Sequence, residues 1–62
     1  MTALEVIVQQ IDEKVTQLKD FLSEERSENF EDYKKTCGEI KGLLTARGYI
    51  LDLQQRLENS DE

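Results

Sequence analysis

From Ser23 to Asn29 the chain carries no apolar side chain, and on either side of this gap apolar residues recur at spacings of three and four. That spacing places side chains on one stripe of an α-helix. Before the gap the stripe is Leu4, Ile7, Val8, Ile11, Val15, Leu18, Phe21 and Leu22, with Gln9, Gln10, Asp12, Glu13, Lys14, Gln17, Lys19 and Asp20 opposite. After it the stripe is Phe30, Tyr33, Cys37, Ile40, Leu43, Leu44, Ile50, Leu51 and Leu57. One continuous helix would need an apolar residue near Glu25 or Arg26. The gap therefore reads as the connection of an all-α, antiparallel two-helix hairpin, buried further by oligomerisation or by docking on a larger protein. A single unbroken helix is the rival reading, because neither Gly nor Pro punctuates the gap and the apolar phases on its two sides differ little.

Local signals set the boundaries. Thr2 followed by Glu5 is a capping-box pattern that starts a helix. Ser27 and Asn29 are good N-caps, and Glu31 and Asp32 suit a first helical turn. The expected domain is the whole chain, 1–62, with helix 1 over about 3–25, a turn over about 26–29 and helix 2 over about 30–58. The polar tail Asn59-Ser60-Asp61-Glu62 lies at the end, where chains fray. The short run Val6-Ile7-Val8 is the best strand candidate and sits inside the helical pattern.

A chain of 62 residues is a small domain, and a lone core of this size supplies only a few kcal/mol. Small domains add disulfides, metals or partner subunits. One Cys and no His exclude an internal disulfide and a zinc site of the usual Cys/His type, which leaves partner subunits. Fourteen acidic residues against eight basic ones give a net charge of −6, which disfavours a nucleic-acid backbone or an anionic membrane surface as ligand. No apolar run is long enough to span a bilayer, and the N-terminus lacks a signal-peptide core. The expectation is a protein of a reducing, cytoplasmic compartment.

The second helix is the informative one. From Leu43 to Leu57 its apolar residues cover nearly half the circumference, whereas one partner helix covers roughly a third. Beside this face lies a ridge of small residues, Gly38, Gly42 and Ala46, continued by Tyr49 and Leu53. Each interior Gly costs a helix about 1 kcal/mol relative to Ala. Two readings account for that cost: a kink or helix end, for instance at Gly48, or a second contact surface on which another backbone approaches closely. Arg47 falls inside the apolar stripe. It either snorkels to the rim or pairs with a carboxylate on a neighbouring chain. The expected protein interface is Gly38, Gly42, Leu43, Ala46, Arg47, Tyr49, Ile50, Leu53 and Leu57.

Catalytic and cofactor chemistry is not expected. Without His there is no usual base to activate a Ser or Cys nucleophile, and Cys37 on the apolar stripe reads as a small buried hydrophobe. The acidic residues Glu24, Glu25, Glu28, Glu31 and Asp32 lack the spacing and central Gly of a calcium loop. The glycines are not followed by the Lys-Ser/Thr of a phosphate-binding loop.

The run Tyr33-Lys34-Lys35-Thr36-Cys37-Gly38-Glu39-Ile40-Lys41-Gly42-Leu43-Leu44-Thr45-Ala46, continued by Ile50-Leu51-Asp52-Leu53 and Arg56-Leu57-Glu58, resembles a pattern of small tailed-bacteriophage helical-hairpin proteins. The resemblance covers about half the chain. It implies a phage origin and a minor virion or head-assembly component, and it assigns no site residue. The expected function is a non-enzymatic protein–protein interaction module associated with a capsid, portal or tail. The alternative is a small acidic phage protein that binds and regulates a host protein. Expected partners are a second copy of the chain, a larger phage protein, or both, with no nucleic acid, membrane, cofactor or small-molecule substrate. The expected location is the host cytoplasm during infection, and the virion.

Overall fold

The computed structural model describes residues 2–23 and 30–59. They form two helices, α1 over Ala3–Ser23 and α2 over Phe30–Asn59, packed against each other as an all-α hairpin. The expected turn at 26–29 and the expected end of helix 1 at 25 lie outside the described residues.

α1 begins where the capping box places it. The Glu5 amide donates to the Thr2 hydroxyl at 3.2 Å, and the Thr2 amide donates to Glu5 Oε2 at 3.3 Å. Two amides that the helix itself leaves without acceptors are thereby satisfied. The Val6 amide then donates to the Thr2 carbonyl at 3.1 Å and opens the helical ladder. α2 carries Glu31 and Asp32 in its first turn and Arg56 in its last, the arrangement that the helix dipole favours. It runs without interruption through Gly38, Gly42 and Gly48, so the glycines do not end it.

The helices are antiparallel. Asp12 pairs with Arg47, while Thr2, Ala3 and Leu4 share a hollow with Gln54, Leu57 and Glu58. Residues of α1 and α2 at the same level therefore have numbers that add to about 60. Along this seam the less exposed residues alternate in steps of four and three: Leu4, Val8, Ile11, Val15, Leu18 and Leu22 on α1, and Thr36, Ile40, Leu43, Arg47, Ile50 and Gln54 on α2. Such a 3.5-residue repeat is the signature of coiled-coil packing. Val15 (6% exposed) and Thr36 (8%) are the buried residues among those described, and no described side chain is fully sealed from water.

The α2 seam differs from the expected stripe. Phe30, Tyr33, Leu44, Leu51 and Leu57 were expected on it and are exposed, whereas Thr36 and Gln54 were not and take seam positions. The apolar signal of α2 spreads over so wide an arc that its centre does not mark the contact line. Cys37, expected to be buried, is half-buried.

The hairpin measures 52 × 19 × 12 Å and exposes 5073 Å², against about 4,100 Å² for a typical folded monomer of its 7.2 kDa mass. Two helices meeting along one line bury little. Stability should therefore rest on few residues. Val15→Ala should cost on the order of 2 kcal/mol, and Thr2→Ala about 1 kcal/mol through loss of the cap. Urea unfolding followed by circular dichroism would measure both.

Candidate functional site

The residues of α2 beyond the seam decide what the chain can bind. At ~100° per residue, the seam line through Thr36, Leu43, Arg47 and Gln54 is flanked by two apolar shoulders, each about 80–100° away. One shoulder is Cys37, Leu44 and Leu51, with Phe30 and Tyr33 at its N-terminal end. The other is Ala46, Leu53 and Tyr49, next to Gly42 and Leu57. The remaining side, with Lys34, Lys41, Thr45, Asp52 and Arg56, is polar, and Lys35, Glu39 and Gln55 set polar side chains among the apolar ones on the shoulders.

Exposure follows this division. Tyr49 is 72% exposed, Phe30 71%, Leu57 53% and Leu44 45%. Tyr33, Leu51 and Leu53 are exposed too. α1 adds Ile7 and Val6, also exposed. The Phe30 and Tyr33 rings stack at 6.4 Å, and Lys34 Nζ lies 5.7 Å from the Phe30 ring centre, a cation–π contact at the surface.

The nine residues expected at an interface fall into two groups. Gly38, Gly42, Tyr49, Leu53 and Leu57 are exposed, and Leu43, Ala46, Arg47 and Ile50 are half-buried toward the seam. Arg47 has its partner inside the chain. Its Nε donates to Asp12 Oδ1 at 2.7 Å, with the two side chains 36% and 50% exposed. That pair fixes the helix register more than it stabilises the fold, because partly solvated ion pairs contribute about 0–1 kcal/mol.

Among the described residues, a methyl group added at Gly38, Gly42 or Gly48 would meet no atom of a neighbour within 4 Å. The packing of α1 on α2 thus makes no use of these glycines. Their helical cost is not offset within the hairpin.

Among the described residues, two hollows open to solvent lie beside these surfaces, one of them the hollow between the start of α1 and Gln54, Leu57 and Glu58 of α2. The other, lined by Asp12, Glu13, Thr16 and Gln17, lies along a single helix. Among the described residues no group of His, Cys, Asp and Glu side chains is arranged to hold a metal ion, and no helix is long and apolar enough to cross a membrane. Glu24, Glu25 and Glu28 of the expected acidic turn lie outside the described residues. Compared with family models, curated proteins and solved structures, the chain matches none.

The sequence signal that could have located the seam is the strict four-three alternation, which tolerates the polar residues Thr36, Arg47 and Gln54. Asp12 as the partner of Arg47 carries no local signal, since the two are 35 residues apart. Gly38→Ala and Gly42→Ala should each stabilise the isolated hairpin by about 1 kcal/mol, because a helical Ala replaces Gly in open space. Asp12→Asn should cost less than about 1 kcal/mol. Thermal unfolding of the single variants at one fixed concentration would measure these shifts.

Proposed function

We propose that the chain is a non-enzymatic protein–protein interaction module and a minor structural or assembly component of a tailed-phage virion, adding helices to a capsid, portal or tail protein. The observation that carries the binding role is the excess of apolar surface on α2. The helix meets α1 along one line and leaves Leu44, Leu51, Leu53 and Tyr49 exposed on both flanks of that line. Exposed apolar surface gathered on one helix in this way marks sites of protein contact. The virion assignment rests on the resemblance of Tyr33–Ala46 and its continuation to small phage hairpin proteins.

The ridge Gly38-Gly42-Ala46, with Tyr49, Leu53 and Leu57, supplies the docking face toward the larger protein. Its glycines admit close backbone approach, and dispersion contacts at that distance offset their helical cost. Gly42→Leu should abolish incorporation into particles while leaving circular dichroism helicity largely intact, since position 42 faces open space in the hairpin. Normal amounts of the variant in purified particles would refute this reading. A host-directed regulator is favoured instead if the chain is absent from particles and its binding weakens as salt screens the acidic charge. Contact through an apolar ridge does not weaken in that way.

A further inference from the structure

We propose that the chain forms a two-fold symmetric, antiparallel dimer through α2, centred on Leu44, in which Cys37 packs against Leu51 of the second copy and Lys34 pairs with Asp52 of the second copy. This deepens the reading of the chain as a protein-binding module and leaves the glycine-ridge shoulder free for a further protein.

The apolar stripe fits a copy of itself. Cys37, Leu44 and Leu51 stand at seven-residue intervals, the spacing that keeps side chains on one coiled-coil line. Leu44 and Leu51 are exposed and Cys37 is half-buried, so the line is open to a partner. Reversing the helix about Leu44 exchanges Cys37 with Leu51 and leaves Leu44 in place. The shoulder also lies about 80° from the seam with α1, close to the right angle between the two neighbours of each helix in a square four-helix bundle.

Charge selects the antiparallel direction. Lys34 and Asp52 are eighteen residues apart, which is five turns at about 3.6 residues per turn, so they share one azimuth on α2. Their midpoint is residue 43, next to Leu44. An antiparallel copy therefore brings each Lys34 to the flank that carries the other chain's Asp52, whereas a parallel two-fold copy puts the two residues on opposite flanks and forms no such pair. Both groups reach from solvated positions. Asp52 is bonded to Arg56 on its own helix, and that pair is exposed.

α1 agrees with the same arrangement. Arg47 lies three residues after Leu44 and four before Leu51, so its partner Asp12 marks the side of α1 that adjoins this stripe. Lys19, seven residues after Asp12, lies along the same side. The register set by Asp12 and Arg47 brings Lys19 level with Asp12 of the second copy, another pair of opposite sign.

Net charge does not oppose the contact. Glu31, Asp32, Glu39, Asp52 and Glu58 balance Lys34, Lys35, Lys41, Arg47 and Arg56, so α2 is neutral and the net −6 resides elsewhere in the chain. The broad side of the hairpin has an outline of 52 by 19 Å, about 1,000 Å², so a contact of the roughly 800 Å² per partner that a stable interface needs must take in α1 as well as α2.

Light scattering on the purified chain should give twice the 7.2 kDa chain mass. Leu44→Glu places two carboxylates at the two-fold axis and should raise the dimer dissociation constant at least about tenfold. Because that variant can also lose helicity when it dissociates, a cross-link supplies an independent readout. In Leu51→Cys, mild oxidation should join the introduced thiol to Cys37 of the other copy. The wild-type chain should give no disulfide dimer, since its two Cys37 residues are about 21 Å apart along the axis. A monomer at all concentrations, a wild-type dimer linked through Cys37, or a Leu51→Cys variant that does not cross-link would each overturn the proposal. A monomer still found in purified particles would refute the dimer alone, and a dimer absent from particles would refute the virion role alone.

Discussion

Everything in this structure follows from the seam between α1 and α2. Two helices meet along one line, and each can bury only the side chains that alternate at four and three along it. In this chain that leaves Val15 and Thr36 buried among the described residues, with the other seam residues more open to water. Among the described residues no third layer covers them, and the single Cys cannot staple the two helices. The hairpin is therefore a folding unit whose apolar surface outruns its own capacity to bury it, and the surplus lies mainly on α2.

The seam also explains which parts of the fold were legible in the sequence. Capping at Thr2 and Glu5 is local, so the residues that make the hydrogen bonds stand three apart in the chain and can be read directly. The existence of two helices follows from periodicity interrupted at Ser23–Asn29. The course of the contact line along α2 was not legible from apolarity. Thr36, Arg47 and Gln54 lie on it, while Phe30, Tyr33 and Leu44 do not, because the apolar arc of α2 extends well to both sides of the line that α1 covers. Hydrophobicity reports how much of a helix avoids water, and the 3.5-residue alternation reports where its neighbour lies.

The same distinction applies to the candidate interface. Gly38, Gly42, Tyr49 and Leu53 were readable as residues without a role in a simple hairpin, and the hairpin gives them none. Leu43 and Ile50 were grouped with them by apolarity and turn toward α1. Arg47 was readable as an anomaly in an apolar stripe. Its partner was not, because Asp12 becomes a neighbour only after the antiparallel register is known, and that register is a property of both helices together.

The glycines of α2 carry a consequence for amide hydrogen exchange. Gly38, Gly42 and Gly48 lower the free energy needed to open the helix locally, and none of the described residues packs over them to resist that opening. On the exposed side of this segment the helix's own hydrogen bonds protect the amides, while Ile40, Leu43 and Arg47 hold its other side to α1, so exchange at the glycines reports local opening first. Any chain that covers the segment must close these openings, and slowed exchange between positions 38 and 48 then becomes a site-resolved record of occupancy that requires no label on the partner.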